Sequence, residues 1–235
     1  MEKSSDEYIR KFEILLNNSK LKFPQEENFK SALNKIKQLA KKGYLLPNDE
    51  TMEDHWNFLR NIDNEATLNE LFINYFECDN NFEKLIERFN NNEAMNKFYG
   101  LYNQAIHLLE KEMFSGSLII LSVLYEGTVR DFVNYADGSD VSSNINSFLN
   151  KKYTNKNRLI YQDREEIKIF TKIFFKKVNF DNMLTSDYFN RNVLLHGIDY
   201  SKISKVDVLK MLNAIDILIF LLSEHKNILE VKKND

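Results

Sequence analysis

Residues 188–200 read YFNRNVLLHGIDY, and the rest of the chain takes its meaning from them. Apolar residues recur through this stretch at helical spacing, interrupted by Arg191, Asn192 and His196. On a helical wheel advancing about 100° per residue from Arg191, Asn192 falls at about 100° and His196 at about 140°. They share that arc with Leu184, Tyr188, Phe189 and Leu195, and Asn192 and His196 are neighbours at i and i+4. An arginine is almost never buried unpaired, so Arg191 on an apolar arc requires an internal carboxylate, a second chain or an anionic ligand. Glu126, on an upstream helix apolar around most of its circumference, is the internal candidate. A structural Arg191–Glu126 pair with a satisfied core histidine is therefore one complete reading of the motif.

Outward from the motif the pattern stays helical. The 235 residues are 43% hydrophobic and hold only six Gly and two Pro, which allows a sizeable core but few tight turns, so helices with polar connections follow. Tyr8, Phe12, Leu15 and Leu16, then Phe29, Leu33, Ile36 and Leu39, mark two amphipathic helices. Gly43 stops the second, and YLLPND reads as a connector in which Pro47 and Asn48 favour a turn. Further helices are predicted over 51–60, 66–77 and 80–89. The polar stretch 90–92 is the best boundary, dividing an N-terminal helical region, 1–92, from a helical bundle, 93–235. In the bundle the spacing predicts a helix over 95–113, a turn at SGS (115–117) and a central buried helix over 118–135. Helices near 143–150, over 163–177, 183–196 and 205–224 complete it. The fold class is all-α.

Most catalytic patterns are absent: no GxxxxGK[ST] loop, no GxGxxG, no HExxH, no GxSxG. The histidines at 55, 107, 196 and 225 lie outside ligand spacing of one another, so no metal and no cofactor are expected. His55 and His107 read as ordinary half-buried or surface residues. The single Cys78 and the lack of a signal segment point to the cytoplasm. No apolar run approaches the ~20 residues that cross a bilayer, so no membrane partner is expected. Net charge is −3, yet residues 151–177 carry nine Lys or Arg against Asp163, Glu165 and Glu166. Lys168, Lys172 and Lys176, interleaved with Phe170, Phe174 and Phe175, suit a single strand of nucleic acid through phosphate contact and stacking. An amphipathic helix with a solvated lysine face is the plainer alternative.

At Arg191, Asn192 and His196 the sequence resembles the HEPN superfamily, whose helical bundle carries an Arg-x4–6-His signature, often with a polar residue after the Arg. The upstream LIILSVLYEGTVRDF resembles that family's central helix with its EG pair, here Glu126 and Gly127; together these cover roughly residues 93–230. The resemblance implies a metal-independent endoribonuclease working at a composite site between two protomers that bring their motif helices together, in antiphage defence or a toxin system. RNA is the implied substrate, a homodimer the implied assembly, and an activator or antitoxin protein a further implied partner. His196 would exchange protons at neutral pH, Arg191 would clamp the phosphate, and Asn192 would orient His196 or donate to the phosphate. Glu126 and Tyr200 stand as supporting residues. Family members regulated by tyrosine modification carry Tyr two residues after the His, where this chain has Ile198. The alternative expectation is a non-catalytic HEPN-like module that binds RNA, nucleotide or protein.

Overall fold

A computed structural model describes residues 26–47, 52–132, 145, 149, 158–177, 190–195 and 202–234. Among these residues the regular structure is helical throughout, in agreement with the all-α expectation. The helices are α1 (Glu26–Lys41), α2 (Met52–Arg60), α3 (Glu65–Glu77), α4 (Asn81–Asn90), a 3-10 segment (Glu93–Phe98), α5 (Tyr99–Glu110), α6 (Phe114–Phe132), α7 (Arg158–Phe174), α8 (Arg191–Leu195) and α9 (Lys205–Asn234). The helices expected over 8–16 and 143–150 lie outside the described residues, apart from Ile145 and Leu149, both buried.

The chain forms two compact units, Met1–Asn34 and Lys35–Asp235. The division expected near residue 93 does not fall between them. Helices α3 and α4 bury their apolar stripes, Leu68, Phe72 and Phe76 on one and Leu85 and Phe89 on the other, and both pack on α9. Their hydrophobic faces thus find partners C-terminal to the break, which ties the two sides together. Asn92 itself is a cap: its Oδ1 accepts from the Ala94 amide at 3.0 Å, and its amide donates to Ser223 Oγ at 3.0 Å.

The centre of the second unit is α9, which meets α3, α4, α6 and α7. Every residue over 206–219 is buried, so this helix has no solvated face over that length. The sequence reading gave that central place to α6, which is buried too but shares its position. Buried polar side chains of α9 find partners on other elements, as burial demands. Asp216 takes both forks of Arg88 at 2.8 Å. Lys210 lies 3.8 Å from Asp207 and 3.8 Å from the centre of the Tyr44 ring. Asn213 donates to the Leu45 carbonyl at 2.8 Å.

That last bond belongs to the 44–47 connector, which is a buried strap; the turn expected at Pro47 and Asn48 runs on outside the described residues. Gly43 does end α1 as expected, with φ 84°, and Tyr44 N–H returns to the Leu39 carbonyl at 3.0 Å. Tyr44, Leu45 and Leu46 are then all buried, and the Leu46 amide donates to the Glu166 carboxyl on α7 at 2.8 Å. Burial pushes the Glu166 carboxyl well up, Asp163 adds to this, and the Leu46 and Gln162 donors oppose it. Burial raises Asp163, one turn away, to about 7.

The SGS turn is displaced. Residues 115–117 lie in the first turn of α6, and the chain reverses just before them. Glu112, at φ 57°, ends α5: its amide bonds the Leu109 carbonyl at 3.0 Å, and the Met113 amide bonds the Leu108 carbonyl at 2.8 Å. The small residues serve packing instead. A Cβ on Gly116 would stand 3.2 Å from the Leu108 side chain, and Ser117 Oγ donates to the Ala105 carbonyl at 2.8 Å. Helices α5 and α6 are thereby drawn close. No helix among the described residues is long and apolar enough to cross a membrane.

Candidate functional site

Three consecutive residues of α6 do three separate jobs. Tyr125 faces α7: it is buried, its hydroxyl lies 2.7 Å from Thr171 Oγ1, and its ring meets Phe170 and Phe174 edge-on at 5.4 and 5.5 Å. Glu126, about 100° further round the helix, takes Arg191 of α8. Gly127 leaves room for Phe98, whose ring edge would stand 2.9 Å from any Cβ at that position. The EG pair therefore joins an ion-pairing position to a packing position that has no space for a side chain.

The Glu126 carboxylate is shared. Its Oε2 accepts from Arg191 Nε, and its Oε1 accepts from Arg130 Nε at 2.9 Å and Nη2 at 2.8 Å. Side-chain exposure is 12% for Glu126, 31% for Arg191 and 37% for Arg130. The carboxylate is thus largely withdrawn from water while both guanidiniums reach it, and a pair in that setting is screened less than one at the surface. Arg191 Nη1 also donates to Asn192 Oδ1 at 3.3 Å.

Asn190 sets this helix in place. Its amide donates to the Ile173 carbonyl at 2.9 Å and the Lys176 carbonyl at 2.8 Å, which satisfies acceptors left open where α7 ends. Its Oδ1 accepts from the Asn192 amide at 2.9 Å, and its carbonyl accepts from the Leu194 amide at 2.9 Å, which starts α8. Asn190 is only 3% exposed, so each of these bonds replaces one that water does not supply. One side chain thus closes α7, opens α8 and delivers Arg191 to Glu126. Asn192 adds a longer bond, 3.4 Å, from its amide to the Lys176 carbonyl.

Of the predicted site residues, the structure brings together Arg191, Asn192 and Glu126; His196 and Tyr200 lie outside the described residues. The inward arc differs from the wheel. Val193 and Leu194 are buried, Leu195 is 41% exposed, and Arg191 and Asn192 are half-buried. Asn190, as a cap, begins α8 at Arg191; Leu184, Tyr188 and Phe189, expected on the same arc, lie outside the described residues. Lys172 and Lys176 are exposed, whereas Lys168 gives its ammonium to Glu165 at 2.6 Å. Among the histidines read as ordinary, His55 is half-buried, and burial lowers its pKa; His107 is exposed. The side chain of His225 is outside the described set.

No protein-family model, no curated protein and no solved structure matches this chain. The functional reading rests on its own residues. Sequence reasoning missed Arg130 and Asn190, although each left a signal: Arg130 stands four residues after Glu126, and Asn is a preferred helix cap. Chemically, the cluster presents a partly open, permanently charged fork whose direction is fixed by a carboxylate behind it. Such a group can hold a phosphate or another anion.

Proposed function

We propose that this chain is a metal-independent endoribonuclease of the HEPN type, cytoplasmic and dimeric, acting in antiphage defence or as a toxin. The observation that carries the proposal is the placement of Arg191. Glu126 fixes one edge of its guanidinium, the side chain stays 31% exposed, and it stands at the start of the R-N-x3-H sequence motif. A fork oriented before substrate arrives loses little on meeting a phosphate, and it counts most where charge grows in the transition state.

RNA brings its own nucleophile. His196 accepts the proton of the 2′-OH, O2′ attacks the adjacent phosphorus, and Arg191 holds the extra negative charge of the phosphorane. The P–O5′ bond then breaks, and the departing 5′ oxygen takes a proton from a second histidine, His196 of a second copy. The products are a 2′,3′-cyclic phosphate and a 5′-OH end. Val123 on α6 is 45% exposed and Leu195 on α8 is 41% exposed. These apolar residues sit beside the Glu126–Arg191 pair in sequence and suit a two-fold partner.

A second reading draws on Glu126 itself. With both arginines on one carboxylate, the cluster is also complete as a structural device inside a non-catalytic module that binds RNA, nucleotide or protein. Purified parent and the His196→Ala and Arg191→Ala variants, incubated with transfer RNA and single-stranded RNA in excess EDTA, separate the two. Cleavage by the parent, reduced at least about 10²-fold in each variant, is expected. Cleavage equal in all three, or none by the parent, sinks the ribonuclease reading.

A further inference from the structure

The Arg191 cluster does not end at Glu126. A continuous hydrogen-bonded chain runs from Arg130 through Glu126 to Arg191, on to Asn192, and from the Asn192 amide to the Lys176 carbonyl. Its two ends carry cations that face solvent. Arg130 is 37% exposed on α6, and Lys176 and Lys177 are exposed just past the end of α7. Lys172, exposed one turn before Lys176, extends the second end along the helix. Further back, among the described residues, Lys168 is bound to Glu165, which also takes Lys37 at 3.2 Å. Among residues 162–177 the exposed cations are therefore Lys172, Lys176 and Lys177, at the end of the helix nearest Arg191.

We propose that this arrangement is a strand track: Lys176 and Lys177 hold the strand's phosphates next to the phosphate at Arg191. The proposal rests on the ribonuclease reading of the Arg191 site and assigns the grip on neighbouring phosphates of the RNA strand to Lys176 and Lys177. Asn190 and Asn192 give the track its geometry. By bonding the Lys176 carbonyl from α8, they fix the backbone that carries Lys176 and Lys177 to the helix that carries Arg191, so the spacing of these cations is built in. Lysines near a phosphate backbone act through charge and counterion release, without reading base sequence. The track therefore provides grip and alignment, and it leaves sequence choice to other parts of the site.

The test uses the full chain and a fluorescein-labelled 12-nucleotide RNA carrying 2′-O-methyl groups, which binds but has no nucleophile. Fluorescence anisotropy is measured from low to moderate salt for the parent, Lys176→Glu/Lys177→Glu and a control, Lys84→Glu/Lys111→Glu, which makes the same charge change at exposed sites on other helices. The expected result is a loss of affinity of about tenfold or more for Lys176→Glu/Lys177→Glu alone. Its log–log salt slope should be shallower by about 1.4, from ~0.7 for each lost contact with a single strand. Equal loss in the control, unchanged affinity in Lys176→Glu/Lys177→Glu, or no binding by the parent overturns the track. Cleavage of unmodified RNA is scored separately. Tight binding that depends on Lys176 and Lys177 without any cleavage removes the ribonuclease reading and leaves the strand track standing.

Discussion

Removing the Glu126 carboxylate leaves two guanidiniums pointing at one another where little water reaches. Glu126→Ala is therefore expected to lower stability by about 2 kcal/mol, below the 3–5 kcal/mol of a fully buried broken pair because both arginines are partly solvated. Arg191→Ala should cost less, since Glu126 keeps Arg130 as its partner. Urea unfolding of both variants checks the order; an Arg191→Ala loss larger than that of Glu126→Ala would mean that Arg130 does not hold the carboxylate. Arg191→Lys tests function apart from stability. A point charge on a flexible stem cannot occupy Glu126 and a phosphate as a planar fork does, so RNA cleavage should fall about 10²-fold while the unfolding midpoint stays near that of the parent. The pairing of Arg191 with Glu126 was legible in the sequence, because burial forces a partner on any arginine. Arg130 was not, because a residue one turn along an exposed helix edge is ordinary until its neighbour is known to be half-sealed.

Helix ends carry much of what the sequence concealed. The small residues 115–117 look like a turn, yet the reversal occurs at Glu112, a residue without a turn preference, because close packing of α5 on α6 needs Gly116 and Ser117 inside the helix. Glu112 accepts a left-handed conformation as the cost of that packing. Glu112→Gly should consequently raise stability by about 0.5–1 kcal/mol, measurable as a higher thermal midpoint; a lower midpoint would show that the strain is not there. Asn190 is the opposite case, a cap that the sequence advertises but a long periodic pattern hides. Asn190→Ala removes bonds at the end of α7 and the start of α8 together, and about 2 kcal/mol of stability should go with them. Helix periodicity located α2, α3 and α4 well, since each needs only one apolar stripe.

Over the whole second unit, pH enters through α7. Asp163 and Glu166 have pKa values raised by burial, Asp163 to about 7, so each supports the fold when protonated. For Asp163 that support is complete below the ordinary carboxylate range near ~4 and is lost as pH rises through about 7. Asp163→Asn keeps the neutral form at every pH, so its stability relative to the parent should improve from pH 5 to about pH 7 and level off by pH 8. Thermal unfolding at these values checks it, and a pH-independent difference would assign the carboxyl an ordinary pKa. The strap at 44–47 feels the same change through the Leu46–Glu166 bond. That strap could not be read from sequence: YLLP is apolar because it is buried, but only the presence of Glu166 and Asn213, more than a hundred residues away, reveals what it is buried against.

The order of the chain then sets the order of its assembly. Helices α3, α4, α6 and α7 all close on α9, and all leave the ribosome before it does. Until residues 206–219 arrive, their apolar stripes have no shared partner, and the nascent chain stays open whatever its local helicity. For a protein whose proposed activity is to cut the RNA around it, synthesis thereby imposes its own delay. The Arg191 site has no finished scaffold until the helix on which α6 and α7 both pack has been made.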